Sequence, residues 1–174
     1  MLLISELDES DGDPVRVKIL GEELVAFRDS SGDIGLVESR CPHRQAELFW
    51  GRNEEGGLRC VYHGWKFDVD GNCLDMPNVP DKQNFKHKVH SKAYQTRESN
   101  GLIWVFMGDQ QNVPALPGIE PALLEEGEVR IIFVQRECNW LQALEGDIDT
   151  SHFSWLHAGS IELDQVPADN PGKY

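Results

Sequence analysis

The chain has 174 residues and a mass of 19.7 kDa, enough for one ordinary domain or for a small domain and part of a second. With 40% hydrophobic and 26% charged residues, it can bury a core without disulfides and falls outside the disordered, collagen-like and low-complexity classes. Sixteen basic against 30 acidic residues give a net charge of −14 and a pI near 4.7, which opposes nucleic acid and anionic lipid as partners.

The start, Met1-Leu2-Leu3-Ile4, turns polar at Ser5-Glu6 and does not read as a signal peptide. No apolar run is long enough to span a bilayer. Short β-like runs follow at Val15–Leu20, Leu24–Arg28, Gly35–Glu38, Gly57–Cys60, Trp65–Val69, Ala93–Arg97 and Leu102–Met107. Ser31-Gly32, Glu55-Gly56-Gly57, Asp70-Gly71 and Asn100-Gly101 separate them as turns, and Asp70-Gly71 is a hairpin signal between Trp65–Val69 and Asn72–Asp75. Many short strands with such turns predict a mainly β fold, a small sandwich or barrel, over residues 1–108.

Residues 109–128, with Pro114, Pro117 and Pro121, read as a linker. Arg130–Arg136 then predicts a strand, and Trp140 to about Leu156 a helix with Leu141, Leu144, Ile148 and Trp155 on its apolar positions. The tail Glu162–Tyr174 shows no apolar period. One strand and one helix do not enclose a core, so residues 129–174 are expected to be the opening part of an incomplete second domain. This part is also the more acidic: residues 109–174 hold 12 acids and 3 bases, residues 1–108 hold 18 and 13.

Four cysteines, Cys41, Cys60, Cys73 and Cys138, are too few and too scattered for a secreted disulfide scaffold, so a reducing cytoplasm is expected. Two of them stand with histidines: Cys41-Pro42-His43, then Cys60-Val61-Tyr62-His63, with sixteen residues between the pairs. Each loop offers one thiolate and one imidazole. A four-ligand zinc site is one reading. Zinc fingers, however, usually pair Cys with Cys and His with His, whereas mixed loops suit a two-iron cluster with two cysteines on one iron and two histidines on the other.

The strings Cys41-Pro42-His43-Arg44 and Cys60-Val61-Tyr62-His63-Gly64-Trp65 resemble the Rieske 2Fe-2S family. The resemblance implies that Cys41 and Cys60 bind one iron and that His43 and His63 bind the other. Respiratory-complex Rieske proteins carry one extra cysteine in each loop; those positions here are Ala46 and Tyr62, which cannot form a disulfide. The oxygenase and ferredoxin type is therefore implied, with a potential toward the low end of a range of roughly −150 to +300 mV.

A second constellation lies in Asn139-Trp140-Leu141-Gln142-Ala143-Leu144-Glu145-Gly146-Asp147-Ile148-Asp149-Thr150-Ser151-His152, followed by His157. Histidines five apart on a regular helix point about 140° from each other, so either the helix loosens between them or they serve separate purposes. Together with the upstream motif, this string resembles the phthalate-dioxygenase-like oxygenase components of the Rieske non-haem iron oxygenases. The resemblance implies that His152 and His157 are two ligands of a mononuclear Fe(II) in a 2-His-1-carboxylate triad. Asp149 would be the carboxylate linking a Rieske histidine of one subunit to an iron-ligand histidine of the next. Asp147 competes with it as an acid but has the wrong offset, and Asn139 and Glu145 are further candidates for the iron pocket. The third iron ligand and the rest of the α+β helix-grip catalytic domain would lie beyond Tyr174, so this chain alone is not expected to oxidise substrate.

The implied whole is an oxidoreductase that inserts oxygen into a small aromatic acid. Its electrons come from an NAD(P)H-dependent iron-sulfur flavin reductase or a ferredoxin, and relatives assemble as homotrimers. A stand-alone Rieske ferredoxin-type carrier is the alternative, and a zinc-stabilised binding module a third. Among other residues, His87 and His90 read as part of a solvated loop, and Cys73 and Cys138 as small buried hydrophobes. Trp50, Trp65 and Trp104 are expected to pack the core or shield the cluster. Arg40, Arg44, Arg52, Arg59 and Lys66 outnumber Glu47, Glu54 and Glu55 over residues 40–66, a local surplus that would steer an acidic electron donor.

Overall fold

The computed structural model describes residues 2–119, 123–124, 128–134, 136–152 and 156. The chain divides into two compact units, Met1–Ile131 and Ile132–Tyr174. The proline-rich stretch after Gly108 clusters with the first unit: Asn100 Nδ2 donates to the Leu124 carbonyl at 3.1 Å, and Val113–Pro117 line a cavity of about 220 Å³ with Trp104 and Phe106.

Among its described residues the first unit holds ten short strands in three antiparallel sheets. They are β1 (Leu2–Leu3), β2 (Val15–Ile19), β3 (Glu22–Arg28), β4 (Ile34–Glu38), β5 (Arg52–Glu54), β6 (Gly57–Arg59), β7 (Lys66–Phe67), β8 (Cys73–Asp75), β9 (Thr96–Ser99) and β10 (Leu102–Val105). The sheet orders are β1-β10-β9, β2-β3-β4 and β5-β6-β7-β8. Hairpins set most of the register. Leu20-Gly21, Glu55-Gly56 and Asn100-Gly101 each place two consecutive residues at positive φ, the backbone that two-residue hairpin turns require. The Asp70-Gly71 turn leads β7 back into β8, the hairpin that the sequence predicts, with Lys66 opposite Asp75 and Phe67 opposite Cys73 across an irregular register.

Strand β3 organises the interior. Its run Leu24-Val25-Ala26-Phe27 is buried on both faces, as an uninterrupted apolar strand should be. The period of two then divides its side chains between two cores. Leu24 and Ala26 join Leu2, Leu7, Ile34, Leu36, Tyr94 and Ile103. Val25 and Phe27 join Val37, Leu48, Leu58, Trp65, Phe67, Met76 and three cysteines, Cys41, Cys60 and Cys73. The second core therefore continues directly into the cysteine-histidine loops.

Several sequence expectations are corrected. Leu2–Leu3 and Arg52–Glu54 form strands that their composition did not announce, because a partner strand lies alongside each. Arg130–Arg136 forms no strand among its described residues, which find no ladder partner. Helix α1 (Trp140–Ile148), found among the described residues of the second unit, is shorter than expected; it starts on Asn139, whose side chain accepts from Leu141 N, and its C-cap is Asp149. Cys138 is exposed, and so is Trp50, at 63%. Among the described residues no helix is long and apolar enough to cross a membrane.

Candidate metal centre

The two cysteine-histidine loops have the same backbone construction. In the first, which follows β4, Cys41 N donates to the Ala46 carbonyl at 2.8 Å and Gln45 N donates to the Cys41 carbonyl at 2.9 Å. In the second, which follows β6, Cys60 N donates to the Trp65 carbonyl at 2.8 Å and Gly64 N donates to the Cys60 carbonyl at 3.0 Å. Both loops therefore close in equal steps from the cysteine, on the fourth and the fifth residue after it. Both turn on a positive φ at the fourth residue after the cysteine, 59° at Gln45 and 79° at Gly64. At Gly64 any side chain would also collide: a Cβ there would lie 2.5 Å from Pro77 Cγ. Glycine is needed at that position for both its backbone and the approach of the Pro77 segment.

This construction brings the donors together in like pairs. Cys41 and Cys60 are buried and share a side-chain hydrogen bond. The backbone N–H groups of His43 and Arg44 point at the Cys41 sulfur, and those of Tyr62 and His63 at the Cys60 sulfur. The shared hydrogen bond and burial push the Cys41 thiol up, and the same hydrogen bond pulls the Cys60 thiol down. The His43 and His63 rings are 4.5 Å apart between centroids. Burial, followed by the charges of His63 and Arg44, holds His43 below the usual imidazole range, which keeps it neutral and able to ligate.

His43 Nδ1 is buried and has no hydrogen-bond partner. A buried ring nitrogen without a partner is costly, and a metal ligated there removes the cost. Among the described residues, no group of three or more His, Cys, Asp or Glu gathers closely enough for a single ion. A thiol pair and an imidazole pair, each with one member from each loop, fit a two-metal group with like ligands on each metal, and the amide donors at the sulfurs suit a cluster that gains negative charge on reduction.

A third segment covers the pair. Trp65 stacks on His43, with centroids 4.3 Å apart and planes 7° from parallel, and its Nε1 donates to Asn78 Oδ1 at 2.8 Å. Phe85 also meets Trp65 edge-on. Of the three tryptophans weighed from sequence, Trp65 therefore does shield the site. Pro77, Asn78 and Phe85 carried no sequence signal, because their role depends on which loop the fold brings over the cysteines. The basic surplus around the loops is largely neutralised in place: Arg40 pairs with Glu47, Arg52 with Glu54, Arg59 with Glu54 and Asp75, and Lys66 with Glu55.

In the second unit, Asp149 Oδ1 accepts from Ser151 N at 2.9 Å and from Ser151 Oγ at 2.6 Å, and Oδ2 lies 3.4 Å from His152 Nδ1. The Ser151 donors, and then His152, hold the Asp149 carboxyl below its ordinary range. Asp149 and His152 thus share one turn just past α1, which ends at Ile148, before either histidine position. His157 lies outside the described residues. Asp147 is engaged by Arg136 Nη1, 2.9 Å from each carboxylate oxygen, and Asn139 is spent on capping α1. These engagements leave Asp149, of the two neighbouring aspartates, as the one beside a candidate ligand.

The β-sheet frame and the paired thiols and imidazoles define an iron-sulfur domain, and the sequence comparisons say which. Residues 1–96 match the family described as the Rieske [2Fe-2S] domain, and residues 105–171 match the LigXa C-terminal domain like family. The chain belongs to the Rieske [2Fe-2S] family. It is 54% identical over 166 residues to the 3-chlorobenzoate-3,4-dioxygenase oxygenase subunit of Comamonas testosteroni, covering 95% of this chain and 38% of that protein. It is 46% identical over 168 residues to the phthalate 4,5-dioxygenase oxygenase subunit of Pseudomonas putida, covering 95% and 37%. Among solved structures, NdmA of Pseudomonas putida CBB5 matches with a TM-score of 0.71 at 27% identity, over 91% of this chain and 49% of that one. The chain thus spans less than two fifths of the length of these two curated relatives.

Proposed function

We propose that this chain forms the electron-receiving front of an aromatic-acid oxygenase component. Cys41 and Cys60 would hold one iron of a 2Fe-2S cluster, and His43 and His63 the other. The cluster supplies one-electron transfer. The electrons would come from an NAD(P)H-dependent iron-sulfur flavin reductase or a ferredoxin. They would go to a mononuclear Fe(II) whose first ligands are His152 and His157 and whose remaining carboxylate ligand comes from outside this chain. Asp149 would orient His152 and, in a head-to-tail trimer, accept from a Rieske histidine of the neighbouring subunit. The dioxygenase names of the similar proteins support oxygen insertion into a small aromatic acid.

The observation that carries this reading is the buried His43 Nδ1 without a partner, in a ring 4.5 Å from that of His63. The continued match over residues 105–171 favours an oxygenase component over a free-standing ferredoxin. In domain terms, residues 1–108 would carry the cluster, 109–128 would connect, and 129–174 would begin the iron domain. The chain is purified anaerobically, its iron and sulfide are counted, and EPR spectra are taken before and after dithionite. Two irons and two sulfides with a rhombic signal on reduction are expected, and ferrous iron beyond two per chain would mark His152 and His157. A colourless protein that holds zinc and no sulfide would refute the reading.

A further inference from the structure

Both cysteines are preceded by arginine, Arg40 before Cys41 and Arg59 before Cys60. Each arginine reaches across its own loop. Arg40 Nη1 donates to the Gln45 carbonyl at 3.3 Å, and Arg59 Nη1 donates to the Gly64 carbonyl at 2.7 Å. The acceptor in each case is the residue at positive φ on which the loop turns. Its N–H already bonds the cysteine carbonyl, so the arginine secures the other end of the same residue. The two loops therefore share a guanidinium clamp in addition to their backbone hydrogen bonds.

The clamps are unequal. The Arg59 side chain is 13% exposed and Arg40 is 44% exposed. Arg59 lies on β6 and reaches two further partners, Glu54 on β5 through Nε at 2.6 Å and Asp75 on β8 at 2.7 Å. One guanidinium thus ties the second loop to strands on either side of it. A planar fork donates from separate nitrogens in fixed directions, whereas the donors of an ammonium rotate about a single nitrogen. Asp75 and Glu54 hold the Arg59 guanidinium firmly charged. Arg40 has one acidic partner at hydrogen-bonding range, Glu47 at 3.1 Å, and Glu47 is shared with Arg16.

We propose that Arg59, and more weakly Arg40, are positioning residues of the cluster site: they lock the turn that aims backbone N–H groups at Cys41 and Cys60, and they bias the site toward the reduced state. This inference rests on the cluster reading given above. The electrostatic direction follows from charge. Reduction adds a negative charge, which a nearby guanidinium favours. Removing Arg59 also leaves Glu54 and Asp75 without their counter-charge beside the site, and both changes disfavour reduction. The mechanical direction follows from the hydrogen bonds. With the Gly64 carbonyl released, the N–H groups of Tyr62 and His63 lose their fixed aim at the Cys60 sulfur.

The test compares the unaltered chain, loaded with its cluster, with R59Q, R59K and R40Q. The readouts are the midpoint potential and the rate of iron loss to a chelator. R59Q is expected to make reduction about tenfold less favourable, about 59 mV for a one-electron couple, and to lose iron several times faster. R59K is expected to keep the potential near that of the unaltered chain, because the charge stays, yet to release iron faster, because a single nitrogen cannot span the separate positions that Nε and Nη1 reach. R40Q should shift both quantities in the same direction by less. An R59Q chain with unchanged potential and release overturns the role of Arg59, as does an R40Q effect larger than that of R59Q. If R59Q does not accumulate, R59K decides alone: release as slow as in the unaltered chain overturns the clamp. An unaltered chain without iron and sulfide overturns the cluster reading itself.

Discussion

The two candidate iron-binding regions hold their donors in opposite ways. Around Cys41 and Cys60 the donors grow out of a buried core; the cysteines themselves pack with Phe27, Leu58, Phe67 and Met76. Around Asp149 and His152 the donors sit on a turn beyond a helix whose apolar residues are bare: Leu141, Leu144 and Ile148 are 47%, 45% and 68% exposed. The first region is specified by its own strands and turns. In the second, the spacing of donors is present, but among the described residues nothing buries the helix that carries them. A short motif therefore forms a site only where the surrounding chain encloses it, and burial separates the two regions more sharply than ligand chemistry does.

The strongest way to break this comparison is to remove one donor from each region. Cys60→Ser is expected to abolish iron and sulfide retention, because the thiol pair and its four amide donors act as one unit. His152→Ala is expected to leave the reduced EPR signal unchanged and to lower only the ferrous iron bound beyond the cluster. If His152→Ala also loses the cluster, the two regions are not independent. A smaller effect tests the enclosure. Trp65→Ala removes the stack on His43 and the bond to Asn78 from a buried position, which costs about 3–5 kcal/mol, read as a shift in the urea midpoint. Trp65→Phe should recover most of it. A chain indifferent to both changes would mean that the Pro77 segment, not Trp65, closes the site.

The turns allow a finer comparison. Gly64 and Gly56 have nearly the same positive φ, 79° and 76°. A Cβ at Gly56 meets nothing within 4 Å, whereas at Gly64 it meets Pro77. Gly56→Ala is therefore expected to cost about 1 kcal/mol from backbone strain alone. Gly64→Ala should cost about 2–3 kcal/mol and accelerate iron loss. Equal costs at the two glycines would show that the Pro77 segment moves aside freely.

The legibility of the sequence follows the same division. The C-x-H and C-x-x-H strings and the Asp70-Gly71 and Asn100-Gly101 turns could be read directly, because each is local: its physics is completed within six residues. Strands Leu2–Leu3 and Arg52–Glu54 could not, since pairing with β10 and β6 makes them strands and their own composition does not. Arg130–Arg136 has the β-branched and aromatic content of a strand without a partner among the described residues. The arginine clamps were visible in sequence as the repeated Arg-Cys pair, but only the hydrogen bonds to Gln45 and Gly64 give the repeat a meaning. Pro77, Asn78 and Phe85 had no signal, because their proximity to the cysteines is purely tertiary.

The smallest expected effect separates the two regions by acid. Glu54 and Asp75 are both held below the ordinary carboxylate range, first of all by their bonds to Arg59. A carboxylate whose folded pKa is depressed contributes stability that is fully present above its unfolded value, about pH 4, and is lost as pH falls through the folded value. Metal-free protein isolates this term from acid attack on the cluster ligands. Its urea midpoint should fall between about pH 5 and about pH 3, and the E54Q/D75N double variant should flatten that fall. Asp149 is also depressed, but its partners are Ser151 and His152 within one exposed turn, so Asp149→Asn should leave the midpoint unchanged across the same window. An acid slope that survives E54Q/D75N, or one that Asp149→Asn removes, would reverse the assignment of cooperative structure to the first region.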